Sequence, residues 1–508
     1  MTNFLIDKEY KGKIGNITPK KIGRGSFGKV YESSNNFAVK IQKTKDVVYI
    51  REISILRYLN HVNIIKPEGY MFDKKANEVH FAMEKAEHSL RACINNGISM
   101  DMIVSISYQM LKAVEYLESN SVIHRDIKPE NILIYGNKVK LCDFGLAKYF
   151  VNGEKSYMSH TGNVQTVWYR APEVAKRYDY GFKADVWSVG AIMLEMVAND
   201  KFCDQRFGFM DKCINDNYFD SHLKENPEEN PEESEFVLKW FSYLVGGEGV
   251  DDIEWISDKE KKFIRDKSKL YKLCDCVDHP IVDLALKLLR WCPEKRLSAS
   301  EGLNHKCFDG LEKVEFLKQI KINNINWYDS KMYKLSHLNS NHRTLLFDWL
   351  WEVSNEYNMI PQSVVICFAL FDLFTKVRDV SLTNAQLVGV SCLSIVDKMV
   401  TVVPVDYREL SFVTGDRYSC RSITGMEQMI LNEFNFDIVG IFDNIFRYRF
   451  NKSKWVIISC MLSFDNPVSI ENILKMDIDK IISKIEEYST NFSELRKETL
   501  KILKSNDK

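Results

Sequence analysis

Between residues 17 and 85 the apolar positions come in short runs of strand-like alternation separated by turns: "KIGRGSFGKVYE", "NNFAVKIQ" and "EVHFAMEK". One stretch among them, "VVYIREISILRYL", shifts to helical spacing. The pattern predicts a mostly β lobe with one helix over 17–86. From 99 to 308 helical spacing takes over, as in "MIVSISYQMLKAVEYLES" and "DVWSVGAIMLEMVA", and predicts a larger α lobe over 87–308. The acidic, proline-punctuated "KENPEENPEES" at 224–234 interrupts that lobe and reads as part of a surface insertion of about 203–234. Residues 309–335 carry no strong motif and are taken as a linker with some helix. Helical patterns return over 336–440 with cap signals: Pro361 suits a first turn, and Thr383 to Gln386 have capping-box spacing. An all-α third unit follows from this, with a helical tail over 441–508.

Composition narrows the class. At 508 residues and 45% hydrophobic content the chain can bury several cores, about three at ~150 residues each. Lys plus Arg number 69 against 70 Asp plus Glu, so charge offers no reason to expect nucleic-acid or anionic-membrane binding. The twelve cysteines include no C-x-x-C pair and the N-terminus lacks an apolar signal core, which points to a reducing, intracellular location, cytoplasmic or nuclear. The longest apolar run, "VVICFALF" at 364–371, is far short of the ~20 residues of a membrane span. "CDCVDH" at 274–279 has no second ligand pair and reads as ordinary packing rather than a metal site.

Chemistry is concentrated in five ordered motifs. "GRGSFGKV" puts Gly23, Gly25 and Gly28 in a turn between two β runs, where missing Cβ atoms let backbone amides close over phosphate oxygens. A plain β-turn would use the same glycines, so context matters. "FAVK" on the next strand brings Lys40 toward the α- and β-phosphates, and Glu52 in the following helix is its acidic partner. "HRDIKPEN" supplies Asp126 to accept a hydroxyl proton, Lys128 near the transferred phosphoryl group and Asn131 for a magnesium ion. "DFG" adds Asp143 as the other metal contact, and "APE" follows at 171–173. Phosphoryl transfer has a loose, highly charged transition state, so such a set positions groups and supplies positive charge. The motifs imply a protein kinase using ATP and Mg²⁺ with no catalytic element missing.

Residues 17–308 resemble the cyclin-dependent kinases in "IREISILRYLNHVNIIK", "HRDIKPENIL", "DFGLAK" and "TVWYRAPEV"; the Lys of "HRDIK" is the serine/threonine form. The resemblance implies a two-lobed α+β kinase fold in which Val30 and Ala38 line the nucleotide pocket. Met83 is then the gatekeeper, and Glu84 to Ala86 offer backbone groups to adenine. Thr166 joins Asp126 and Lys128 in the catalytic set. Arg170 and the Val164 backbone shape a pocket for proline after the phosphorylated Ser or Thr. Thr161 falls at the activating phosphothreonine, with Arg51, Arg125 and Lys148 as its cationic nest. Lys148 stands where the family has Arg, which loses a bidentate grip. Ser26 and Phe27 replace the restraining Thr-Tyr pair of the glycine loop, and a phenyl ring has no hydroxyl to modify. The activator-binding helix reads "DVVYIRE", where Val48 and Tyr49 are bulkier than the small residues expected.

"NHRTLLFDWLWEV" at 341–353 resembles the first core helix of a cyclin box, "AQLVGVSCLSIVDKMV" the third and "GMEQMILNEFNFDI" the fifth. By that likeness Arg343 and Asp348 are a buried structural pair, and Lys398 and Glu427 contact the kinase's activation helix. Leu345, Leu346, Trp349 and Gln386 match parts of a substrate-docking patch, although His342 and Ala385 stand where larger apolar residues are usual; core packing would explain the same leucines. The tail over 441–508 reads as helical, with a degenerate second cyclin repeat as an alternative. Seven Lys/Arg against twelve Asp/Glu over 336–440 disfavour nucleic acid as a partner. The expectation is a proline-directed Ser/Thr kinase activated in cis by its own cyclin-like unit. The alternative is a kinase acting alone beside an interaction module that captures a separate host kinase or a transcription factor.

Overall fold

A computed structural model describes residues 5–25, 28–44, 48–73, 75–149, 167–176, 178–202, 250–267, 279–311, 340–401, 404–440 and 499. The expected insertion, most of the linker and the tail beyond 440, residue 499 apart, lie outside these residues. The chain divides into two compact units, Met1–Gln319 and Ile320–Lys508.

The first unit opens with β1 (Leu5–Ile6) and α1 (Asp7–Ile14), which precede the region the hydrophobic pattern marked. There follow β2 (Ile17–Gly25), β3 (Gly28–Ser33), β4 (Phe37–Lys43), α2 (Val48–Tyr58), β5 (Pro67–Asp73) and β6 (Glu78–Glu84). The six strands form one sheet in the order β1-β5-β6-β4-β3-β2. α1 was not legible because its sequence, "DKEYKGKI", is polar; Tyr10 and Ile14 pack it against Val39 and Ala82, and Lys13 pairs with Glu68. α2 is the one helix the pattern predicted in this lobe, and it buries residues on every side, Arg51 and Glu52 included.

The helical lobe continues with β7 (His88–Ser89), α3 (Leu90–Asn96) and α4 (Met100–Ser119), the last capped by the Ser99 hydroxyl accepting from the Met102 N–H. On α4, Ile103, Ile106, Met110, Leu111, Val114 and Leu117 face the core at helical spacing. Short strands β8 (Val122–Ile123), β9 (Ile132–Tyr135), β10 (Lys138–Leu141) and β11 (Lys148–Tyr149) frame the catalytic motifs. Next come α5 (Pro172–Ala175), α6 (Lys183–Phe202), α7 (Asp258–Lys267), α8 (Pro280–Leu288) and α9 (Ala299–Gly302). His279 caps α8, its side chain accepting from the Ile281 N–H, which is a structural use.

The second unit, among the described residues, is all helical: α10 (Ser340–Glu356), α11 (Pro361–Val377), α12 (Leu382–Val400), α13 (Tyr407–Val413) and α14 (Cys420–Glu433). α12 is buried without interruption from Leu387 to Val400, the mark of a central helix enclosed by its neighbours. At Gly389 a Cβ would meet Leu346 and Leu350 of α10 at 3.2 Å, so the missing side chain permits the close crossing. Phe347 stacks on Phe368 of α11 with ring centroids 3.8 Å apart. Pro361 begins α11 as its position suggested, whereas the N-cap of α12 is Ser381 and Thr383 lies inside the helix. The Thr383–Gln386 spacing is therefore no capping box: the chain turns two residues earlier, and the Ser381 and Thr383 hydroxyls bond each other at 2.9 Å.

Candidate active site

The glycine turn is closed by register. Gly23 faces Val30 and Gly25 faces Gly28 across β2 and β3. A Cβ on Gly28 would sit 2.7 Å from the Ile41 carbonyl oxygen, a backbone atom that cannot move aside, so only glycine fits. Ser26 and Phe27 lie outside the described residues. Val30 pairs with Lys40, and Ala38 with Met83, so three neighbouring strands bring these four together. Glu84 ends β6 and Ala86 follows it.

Lys40 is the centre of the site. Its Nζ donates to Glu52 Oε1 at 2.7 Å and Oε2 at 2.8 Å, and to Asp143 Oδ1 at 2.6 Å. Gln42, one turn of the strand further, donates Nε2 to Glu52 Oε2 at 2.8 Å. The Lys40 and Glu52 side chains are only 3% and 1% exposed, so each charge depends on its partners for solvation. Burial alone would lower the Lys40 pKa, but Glu52 and Asp143 outweigh it and hold the ammonium above its ordinary value. Gln42 escaped the sequence reading because an amide in a strand carries no signal until its carboxylate partner is known.

The catalytic loop is built on a backbone frame. Asp185, at the start of α6 and 1% exposed, accepts from the backbone N–H groups of His124 at 2.7 Å and Arg125 at 2.9 Å. His124 donates Nε2–H to the Cys142 carbonyl at 3.0 Å, and its Nδ1 accepts from the Asp126 N–H at 3.2 Å. That division fixes the neutral tautomer, in agreement with burial lowering its pKa. Asp126 Oδ2 accepts from Lys128 Nζ at 2.7 Å and Asn131 Nδ2 at 3.1 Å. Arg125 and Asp143 both sit in the left-handed region, at φ 66° and 62°. Such backbone costs on the order of 1–3 kcal/mol per residue and persists where neighbours over-determine it. Asp185 does so for Arg125, and the Lys40 contact for Asp143.

Arg51, Arg125 and Lys148 come together behind this loop. Arg51 donates to the Gly145 carbonyl and Arg125 to the Leu146 carbonyl. The Lys148 pKa is pushed down to about 7 by burial and by the adjacent guanidinium groups of Arg125 and Arg51. Three cations so placed favour an anion among them. Thr161, Val164 and Thr166 lie outside the described residues. Arg170 is buried, and the "APE" glutamate, Glu173, forms a bidentate pair with Arg296, 2.7 and 3.0 Å. Arg296 lies 123 residues away and no spacing rule points to it.

In the second unit Lys398 and Glu427 are 1% and 0% exposed and form an ion pair with each other. Tyr407 completes the cluster, accepting from Lys398 at 2.8 Å and donating to Glu427 Oε2 at 2.6 Å. Arg343 and Asp348 are both buried, but the bidentate partner of Arg343 is Asp372 on α11, at 2.8 and 2.6 Å. Of the apolar residues matched to a docking patch, Leu346 is buried and Leu345 is 67% exposed. Trp349 packs on Leu387, Val390 and Leu410.

A Lys bridged to a helix Glu and a DFG Asp, beside an Asp–Lys–Asn loop, is the site of a phosphotransferase acting on proteins. The family model "Protein kinase domain" matches residues 17–308, more than half of the chain, and "Cyclin, N-terminal domain" matches 312–439. The mitogen-activated protein kinase homolog NTF3 of Nicotiana tabacum is 31% identical over 330 residues, covering 59% of this chain and 78% of that protein. Mitogen-activated protein kinase homolog 1 of Petunia hybrida is 31% identical over 330 residues, 59% and 76%. The chain belongs to the protein kinase family. It is a serine/threonine protein kinase with a cyclin domain behind its catalytic domain. Protein kinases use ATP and Mg²⁺. The donors here fit: Asp143 and Asn131 bring oxygen ligands suited to a magnesium ion that arrives with phosphates. Among the described residues no group of three or more His, Cys, Asp and Glu forms a standing metal centre. No described helix is long and apolar enough to cross a membrane.

Proposed function

We propose that the chain is a cyclin-dependent-kinase-like enzyme that phosphorylates Ser or Thr followed by Pro and is switched on in cis by its own cyclin unit. The supporting observation is Lys40 held between Glu52 and Asp143, the assembled arrangement of helix and metal-binding loop. Magnesium, when bound, neutralises charge on the β- and γ-phosphates. Lys40 orients the phosphates; Asn131 and Asp143 hold the ion; Asp126 takes the proton of the substrate hydroxyl while Lys128 steadies its carboxylate. Arg170 with Val164 shapes the proline pocket. Phosphate on Thr161 settles among Arg51, Arg125 and Lys148. The narrower likeness to cyclin-dependent kinases, rather than to the mitogen-activated kinases found as relatives, rests on the cyclin domain in the same chain.

In this reading Lys398 and Glu427 stabilise the face that meets α2, and tethering keeps the activator at an effective concentration near the mM range. Substrates, the enzyme that modifies Thr161 and an intracellular location belong to the same proposal. The test places a protease site within 320–335 of the full chain and assays a peptide array with Mg-ATP before and after cutting. Activity on Ser-Pro and Thr-Pro peptides that is insensitive to dilution when intact, and falls on dilution once cut, is expected. Undiminished activity of the cut, diluted protein refutes cis activation; indifference to proline refutes the specificity.

A further inference from the structure

Strand alternation puts Leu133 and Tyr135 on the half-exposed face of β9, with Ile132 and Ile134 buried behind them. Tyr135 reaches from there to the strand that ends the small lobe: its hydroxyl donates to the Glu84 backbone carbonyl at 2.9 Å. The phenol is held at its other end too. Lys140 lies over the ring, Nζ 4.8 Å from the centroid, and pairs with the Glu84 carboxylate. Burial holds the phenol above its ordinary pKa, so it remains a protonated donor.

The Glu84 carbonyl is one of the backbone groups assigned above to the base, and the present inference rests on that reading. A carbonyl oxygen has two lone pairs, and Tyr135 occupies one of them. Adenine's 6-amino group therefore meets an acceptor already in use. A 6-oxopurine would set its own carbonyl against that of Glu84, two acceptors with no proton between them, unless a donor stands beside them. A rotatable hydroxyl is such a donor.

We propose that Tyr135 is a specificity-determining residue of the base-reading edge, and that it lets this kinase take 6-oxopurine triphosphates, GTP and inosine triphosphate, as phosphoryl donors beside ATP. The transfer is unchanged in chemistry: the bridging bond between β- and γ-phosphate breaks, the substrate hydroxyl oxygen takes the γ-phosphoryl, its proton passes to Asp126, and the nucleoside diphosphate leaves.

The test compares ATP with inosine triphosphate, which has an oxygen for the 6-amino group and a proton on N1, using the full chain, Mg²⁺ and one peptide; the Tyr135 variant, set against wild type, isolates the contribution at position 6. Replacing Tyr135→Phe removes one oxygen and should raise the ratio of kcat/KM for ATP over inosine triphosphate about three- to tenfold, the range of one neutral hydrogen bond. An unchanged ratio overturns the proposal. So does an equal loss with both nucleotides, which makes the phenol a strut between β9 and the hinge. Calorimetric titration with the Mg²⁺ complexes of ADP and inosine diphosphate should show the same shift without turnover. Wild-type protein that binds both diphosphates yet phosphorylates nothing counts against the kinase reading and leaves the base preference to be decided by the binding ratio alone.

Discussion

Two buried lysines, one in each unit, meet the same problem and resolve it differently. Lys40 is hydrogen-bonded to two carboxylates, Glu52 and Asp143, whereas Lys398 is bonded to the Glu427 carboxylate and the Tyr407 hydroxyl, with the Asp397 charge acting on it as well. Desolvation disfavours the charged form of both. At Lys40 the doubled negative charge wins and the pKa rises; at Lys398 burial wins and the pKa falls despite Glu427. The first cluster carries an excess negative charge that suits a site where a metal ion and phosphates come and go. The second is almost wholly buried, and Lys398 and Glu427 pair within their own unit.

The comparison breaks most visibly at the excess carboxylate. Asp143→Asn removes a metal ligand while Glu52 still compensates Lys40, so turnover should fall by orders of magnitude with little change in melting temperature. A folded Asp143→Asn protein with near-normal turnover would refute the assignment. The corresponding change in the other unit should do the reverse: Glu427→Ala strands a buried ammonium, and chemical denaturation should show a loss of about 3–5 kcal/mol in that unit. Replacing both partners, Lys398→Met with Glu427→Leu, should recover most of it. If the single and double variants are equally unstable, the pair is not closed on itself. Tyr407→Phe, which leaves the charges but removes their bridge, should cost about 1 kcal/mol, measured the same way.

A third lysine sharpens the contrast. Lys148 has two guanidinium neighbours, and its pKa of about 7 lies below its unfolded value. The unfolded chain therefore binds the extra proton between about pH 7 and the ordinary lysine range, and stability of the unphosphorylated protein should rise with pH across that window. Lys148→Met should flatten the slope. A slope that survives the substitution assigns the effect elsewhere.

How far these clusters were legible depends on distance along the chain and on the residue type. Lys40, Glu52, Asp126, Asn131 and Asp143 were readable because each lies in a short motif whose neighbours announce it. Gln42, Asp185, Asp372 and Tyr407 were not, since an ordinary polar residue becomes functional only through its partner. Asp185 lies 61 residues from His124, and Asp372 lies 29 from Arg343. α1 was missed because it packs on the sheet through two apolar residues, too few to form a pattern, and is tied further by the Lys13–Glu68 pair.

The amino-acid order by itself determined which chemistry is present, since motif spacing and hydrophobic period are local properties: the nucleotide strand pair, the catalytic loop, and the helical unit after it. Tertiary structure alone decided how each charge is balanced. Whether a buried lysine is held protonated or pressed toward neutrality depends on how many carboxylates or guanidinium groups the fold brings within a few ångströms, and electrostatic energy in a poorly screened interior depends on those distances, not on positions in the chain.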